Sequence, residues 1–226
     1  YDLGVIDITG NLDLNAAIGN GGTAGATSLA VSGTSNIGAD ITTTNNQTYT
    51  GAVTMSGGNR ILRSNSGTIN NVSTINGGGN NLTITGNLNV DDAISNTAIF
   101  SVSGTTDLGA NVTTTGTQTY SGAVTLSGAA RTLTTTGDTV TFTGTVNGAQ
   151  DLTVDTTNSG GSSAATVQFG GVVGGTTPVG AIIITGNLDL NANILQSDNT
   201  AGATSINVSG TSDLGANVKT TGNQTY

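Results

Sequence analysis

The amino-acid sequence predicts an all-β fold, a parallel β-helix (β-solenoid) of about ten coils with roughly 20 residues in each. Three observations lead to this prediction. The chain repeats its own sequence, its short apolar segments alternate with a period of two, and its turns are rich in Gly and Asn. Thr, Val and Ile favour strands, and the residue mixtures that favour helices are missing.

Two blocks of sequence recur along the chain. Residues 8–16 return at 184–192 and, in weaker form, at 84–90, whereas residues 31–39 return at 102–110 and 208–216. Tyr49, Tyr120 and Tyr226 each follow Gln-Thr, and the second interval between them is longer than the first. The long unit from Tyr49 to Tyr226 therefore contains two related subunits of unequal length, which meet at Tyr120.

This pattern predicts the domain organisation. Residues 1–226 form one continuous solenoid segment with internal repeats at 29–98 and 99–204 and a partial third repeat at 205–226. We expect the segment to be a piece of a longer repetitive chain, with like residues of successive repeats on related faces. The extra residues, 155–180, are expected to add one more coil and a flexible loop near 158–164.

Strands with one buried face are predicted wherever apolar and polar residues alternate. In residues 139–146, Val140, Phe142 and Val146 lie on one side and the Thr residues on the other. Such runs end in Gly or Asn, which tolerate the positive φ of a sharp corner. Coils about 4.8 Å apart would give a rod of roughly 50 Å, held by apolar ladders inside and Asn ladders at the turns.

The composition excludes several classes of function. The chain has no His and no Cys, and all 13 acidic residues are Asp, so no nucleophile–base pair and no common transition-metal site is expected. We therefore predict that the chain is not an enzyme. Its net charge is −9 with four basic residues, which argues against nucleic-acid binding. The longest apolar run, near 181–184, is too short to span a membrane.

The candidate contact residues are aromatic or hydroxyl-bearing. Tyr49, Tyr120 and Tyr226 are interpreted as stacked corner residues, with a glycan-contact platform as the alternative. Thr114 and Thr135 belong to recurrent Thr runs, which favour strands and solubility, with a flat ice-binding array as the sharper hypothesis. No cofactor is expected. Repeated Asp positions such as Asp13 and Asp189 leave calcium as a weaker alternative to solvated turn residues, because the calcium motif of β-rolls is missing.

Residues 118–126 and 166–175 resemble the repeats of very large bacterial exoproteins, the filamentous-haemagglutinin-like and autotransporter-like adhesins. The resemblance covers essentially the whole chain and lies in the style of the repeats. It implies a right-handed parallel β-helix in a secreted or surface-attached protein of a Gram-negative bacterium. The Asn-Pro-Asn signature of that family's secretion domain is absent, and the only proline is Pro178.

Three hypotheses of function follow. The first is a structural segment of an extracellular fibre or adhesin stalk that serves adhesion, biofilm or envelope architecture. Its partners would be coils of the same chain or a second copy stacked end to end, and glycans or host and abiotic surfaces. The second is a binding module whose Thr, Asn and Tyr faces contact glycans or ice. The third, a polysaccharide-cleaving β-helix, would need clustered acids beside a base, and no basic residue lies near Asp91-Asp92 in the sequence.

Overall fold

The computed structural model describes residues 3–157 and 165–226. Within these ranges the chain forms 24 strands and no helix, and all strands join one sheet with parallel pairing. The prediction of an all-β solenoid of about ten coils is confirmed. The right-handed winding stays a prediction.

The strands are short except where one continues through a corner of the coil. The first eight are β1 Val5–Ile8, β2 Leu12–Leu14, β3 Ser28–Val31, β4 Ser35–Ile37, β5 Ile41–Thr43, β6 Gln47–Tyr49, β7 Val53–Met55 and β8 Arg60–Asn71. The next eight are β9 Ile75–Val90, β10 Ile94–Val102, β11 Thr106–Leu108, β12 Val112–Thr114, β13 Gln118–Tyr120, β14 Val124–Leu126, β15 Arg131–Thr134 and β16 Val140–Phe142. The last eight are β17 Val146–Asn147, β18 Leu152–Asp155, β19 Thr166–Phe169, β20 Val179–Thr185, β21 Asn187–Leu190, β22 Ala203–Val208, β23 Ser212–Leu214 and β24 Gln224–Thr225.

Each coil contributes one segment to each of three stacked faces. Face 1 contains β1, β3, β6, residues 69–71 of β8, residues 88–90 of β9, β11, β14 and β17. Face 2 contains β2, β4, β7, residues 75–76 of β9, residues 94–95 of β10, β12, β15, β18, β20, β22 and β24. Face 3 contains β5, residues 62–64 of β8, residues 82–85 of β9, residues 100–102 of β10, β13, β16, β19, β21 and β23.

The core is a column of apolar side chains inside the three faces. Strands alternate as the sequence predicts: in β14, Val124 and Leu126 are buried and Thr125 is exposed. Phe100, Tyr120, Phe142 and Phe169 from successive coils of face 3 form a column, in which Phe100 meets Tyr120 edge to face and the last three rings are stacked. Their ring centroids lie 5.9, 5.2 and 5.1 Å apart in that order, which is the range of favourable aromatic pairs.

The two recurring sequence blocks stack on each other at one corner of the coil. The block that begins at residue 8 forms the lower layer, and the block that begins at residue 31 forms the upper layer. Gly10 N–H donates to Ser32 Oγ at 3.0 Å, and Thr34 N–H donates to Asn11 Oδ1 at 2.9 Å. The same bonds recur at Gly86–Ser103 and Asn87–Thr105, both 3.0 Å, and at Gly186–Ser209 and Asn187–Thr211, 3.1 and 3.0 Å. The blocks recur together because each supplies the hydrogen-bond partners of the other.

Glycine is required in both layers of this corner. In the lower layer Gly86 adopts a φ of 118°, a conformation that L side chains rarely take. In the upper layer a Cβ on Gly104 would lie 2.4 Å from the Gly86 carbonyl oxygen, and one on Gly122, a coil further on, 2.2 Å from that of Gly104. Two backbones can approach this closely only where neither carries a side chain.

Like residues of successive repeats lie on different faces, which corrects the expectation of related faces. Val31 lies on face 1, Val102 on face 3 and Val208 on face 2. The physical reason is that the repeats do not contain a whole number of coils. Each repeat therefore begins on a different face, and the tight Gly-rich corner moves to a different edge of the rod.

Asparagine side chains also link successive coils at the wider turns, as predicted. Asn81 N–H donates to Asn59 Oδ1 at 3.0 Å, and Ile99 N–H donates to Asn81 Oδ1 at 3.2 Å. Side chains thus satisfy backbone donors that the corners take out of the sheet ladder.

The extra residues of the second repeat contribute a strand to the stack. β19 pairs with β16 on one side and with β21 on the other, so the inserted segment adds to face 3. The base of the insertion is closed where Thr156 Oγ1 donates to the Ala165 carbonyl at 2.8 Å. The loop expected near 158–164 lies outside the described residues.

Candidate functional surface

Four of the five predicted contact residues are buried, and the prediction that they form a surface is wrong. Tyr49 and Tyr120 are 0 % exposed, and Thr114 and Thr135 are 2 % and 1 % exposed. The reason is strand alternation. In β6 and β13, which hold the first two Gln-Thr-Tyr segments, the Gln and Tyr side chains point inward and the Thr side chain points outward. Tyr226, in the last coil, is 47 % exposed.

The Gln-Thr-Tyr motif builds a hydrogen-bond network inside the rod. Tyr120 Oη donates to Gln118 Oε1 at 3.0 Å. Gln118 Nε2 donates to the Thr134 carbonyl of the next coil at 2.9 Å and lies 3.3 Å from Thr114 Oγ1. The network thus satisfies polar groups in a core that excludes water.

The first copy of the motif repeats this network. Tyr49 Oη donates to Gln47 Oε1 at 2.9 Å, and Gln47 Nε2 donates to the Arg63 carbonyl of the next coil at 2.7 Å. Burial raises the pKa of the Tyr49 and Tyr120 phenols well above the ordinary value, so both stay protonated. These groups stabilise the stack and are not available to a ligand.

The Thr runs do not lie together on one flat face. Thr42 is in β5 on face 3, whereas Thr113 and Thr134 are in β12 and β15 on face 2. Thr135 is turned inward, where its hydroxyl accepts from the Asp138 N–H at 3.3 Å. The rotation of the repeats distributes these runs around the rod.

Sequence reasoning missed the outward column of hydroxyls on face 3. Thr83, Ser101, Thr119 and Thr141 are in register on consecutive coils, and the column continues through Gln168, Asp189 and Asp213. The signal was present in the hydroxyl residue between two apolar residues, as in Leu82-Thr83-Ile84 and Val140-Thr141-Phe142. Such a single-file column offers hydrogen-bond donors and acceptors to water or a polar polymer.

Two of the four basic residues are part of the corner structure. Arg131 is 9 % exposed, and its Nε donates to the Ser127 carbonyl at 3.0 Å. Arg60, its equivalent in the first repeat, donates from Nε to the Ile37 carbonyl at 3.2 Å. Each guanidinium lies beside a glycine with positive φ, Gly128 and Gly57 respectively. These arginines cap wide turns and leave little positive charge on the surface.

The Asp residues take part in ordinary turn and ladder hydrogen bonds. Asn36 Nδ2 donates to Asp13 Oδ1 at 2.9 Å, and Gln168 Nε2 donates to Asp189 Oδ2 at 2.8 Å. Across residues 3–157 and 165–226, no three side chains of the metal-binding types Asp, Glu, His and Cys come together. The part of the chain that is described therefore offers calcium no cluster of three carboxylates.

None of the described segments is a helix of the length and apolar character needed to cross a membrane. No protein-family model matches this sequence, and neither the curated proteins nor the solved structures contain a match to it.

Proposed function

We propose that this chain is a structural segment of a secreted or cell-surface bacterial fibre or adhesin stalk. The observation that carries the proposal is the continuous parallel ladder, in which about ten coils share one sheet and one apolar column. Such a stack transmits force along its axis through many hydrogen bonds at once. Adhesion, biofilm and envelope architecture are the roles in which a spacer of this kind is used.

The surface chemistry supports a passive role. Outward side chains are mainly Thr, Asn, Ser and Asp, and charged residues make up 8 % of the chain. There is no His, Cys or Glu to assemble an acid, base or nucleophile. We therefore propose a non-catalytic function, located outside the cell of a Gram-negative bacterium in keeping with the resemblance of the repeats.

Single-molecule pulling of residues 1–226 between two handles tests the mechanical role. We expect the chain to resist force and then to extend in steps, because coils leave the stack a few at a time. A chain that extends smoothly at low force, without resolved steps, would contradict a load-bearing role. A globular domain of similar length between the same handles serves as the control.

A binding module is the second candidate, favoured by the hydroxyl column of face 3. If that column contacts a glycan or ice, Thr119→Lys will abolish binding, because a long charged side chain would stand in the contact plane. Thr125→Lys is the matched control, since it makes the same change at an outward position of face 1. Equal binding by both variants would overturn this candidate.

The partner that the stalk implies is another coil of the same type. At the two ends of the described stack, apolar side chains such as Val5 and Leu214 are exposed, and β1, β23 and β24 each pair with a strand on one side. We propose that coils of the same chain or of a second copy cover them. Sedimentation over a range of concentrations tests the second copy, with Leu214→Lys as the variant expected to weaken association.

A further inference from the structure

We propose that a cavity beside Arg63 is a binding site for one sugar-acid unit, a small molecule with a carboxylate and several hydroxyls. The cavity has a volume of about 130 Å³ and lies between three successive coils. Its polar lining comes from Asn20, Asp40, Thr42 and Arg63 and from the backbone at Gly19 and Gly21. This inference does not depend on the proposed function as a stalk.

Among the four basic residues, Arg63 is the one whose side chain donates no hydrogen bond within residues 3–157 and 165–226. Arg60 and Arg131 donate to carbonyls of their own corners, and Lys219 Nζ donates to the Asn199 carbonyl. The Nε of Arg63, in contrast, is buried and has no hydrogen-bond partner. Because that Nε is shielded from solvent, a ligand meets the terminal Nη groups of the guanidinium, whose paired N–H groups can bond both oxygens of a carboxylate.

Asp40 provides the complementary group in the same cavity. Its Oδ1 accepts from the Ile61 N–H at 2.9 Å, which holds the carboxylate in place. Within the described ranges its other oxygen, Oδ2, accepts no hydrogen bond. That oxygen can accept a hydrogen bond from a hydroxyl of a sugar. A ligand with only a carboxylate would leave it unmatched.

The cavity wall is a short hairpin that we call the lip, residues 19–23. Asn20 and Thr23 exchange two backbone hydrogen bonds of 3.0 Å across it. Thr42 Oγ1 donates to the Gly21 carbonyl at 2.9 Å, and Asn65 Nδ2 donates to the Gly22 carbonyl at 3.2 Å. The lip is therefore tied to two other coils and is formed before any ligand arrives.

The equivalent region one repeat further along the chain lacks the lip and both charges. The segment that joins Asn87 to Val102 is shorter than the equivalent segment from Asn11 to Val31, which contains the lip. At the positions equivalent to Asp40 and Arg63, the second repeat has Asn111 and Thr134. Asn111 Oδ1 still accepts from the Thr132 N–H at 2.9 Å. The fold thus needs only the acceptor at this position, and a carboxylate there is not required for the turn.

The test is an NMR titration of the ¹⁵N-labelled chain with sodium D-glucuronate, with acetate and D-glucose as half-ligands. We expect saturable shifts at the Gly19, Gly21 and Ile61 amides, none at Thr132, and a weaker response to either half-ligand. The variant Asp40→Asn/Arg63→Thr copies the second repeat and should weaken binding about tenfold or more.

Three results would overturn the proposal: equal shifts with glucose, a response at Thr132 as large as at Ile61, or unchanged binding by the double variant. Unperturbed amide signals outside the cavity show that the double variant is folded. Arg63→Lys provides a second variant, which keeps the charge, loses the planar fork and should bind more weakly. Trigalacturonate, compared with galacturonate, distinguishes a polymer end from a free sugar acid, and binding of either supports the site.

Discussion

At the scale of single residues, the polar groups inside the rod are the main departure from expectation. Tyr beside Thr suggested a surface, but Tyr120 lies in the core and bonds Gln118, which in turn bonds the next coil. Alternation alone predicts that Gln and Tyr share a side. It does not predict that the shared side is the inner one, because an amide is usually exposed unless it finds partners.

Replacing Gln118 with Leu should destabilise the chain by about 2–3 kcal/mol. The change leaves the buried Tyr120 hydroxyl and the Thr134 carbonyl without partners. Gln224→Leu is the matched control, because the third copy of the network is exposed in the last coil, and its effect should be below about 0.5 kcal/mol. Urea unfolding measures both values, and equal losses would contradict the buried network.

Alkaline pH should unfold the rod as its buried tyrosines ionise. The pKa of Tyr49 and Tyr120 is raised in the folded chain above the ordinary value of about 10 that applies when unfolded. Their contribution is therefore fully present below pH of about 10 and is lost as the pH rises further. Tyrosinate absorbance of these two residues should appear together with loss of the β-sheet circular dichroism. Their ionisation near pH 10 with the fold intact would show that they are not buried.

At the scale of the secondary-structure element, the corners define how successive coils are aligned, and the strands alone do not. The sequence predicts the strands and the glycines of the turns from their patterns. It does not reveal that residues 8–11 lie beneath residues 31–34. Because the coils differ in length, the sequence does not determine which residues of successive coils lie opposite each other. The hydrogen bonds between the two blocks define this register. The cavity beside Arg63 was missed for the same reason, since its lining comes from three coils.

Gly122→Ala should destabilise the chain by roughly 1–3 kcal/mol, because its Cβ would lie 2.2 Å from the Gly104 carbonyl oxygen. The control is Gly22→Ala, where an added Cβ meets nothing within 4 Å and φ is not positive, so the stability should change by less than about 0.5 kcal/mol. Thermal unfolding of the two variants under one set of conditions gives the comparison. A neutral Gly122→Ala would show that the corner is looser than described.

At the scale of the whole molecule, equivalent residues of successive sequence repeats lie on different faces of the rod. Val31 and Val208 are equivalent in sequence but lie on faces 1 and 2. The spacing of the repeats predicted a rod, and the fractional number of coils per repeat could not be counted without the pairing. A rod built in this way shows equivalent side chains in several directions around its axis.

The most direct test of the solenoid rod lengthens it by one repeat. Tyr226 is equivalent to Tyr49, so a second copy of residues 50–226 placed after Tyr226 continues the register. Small-angle X-ray scattering should then show a maximum dimension greater by about 40 Å, with the cross-sectional radius unchanged. An increase in cross-section, or scattering from two separate bodies, would contradict the continuous stack of coils.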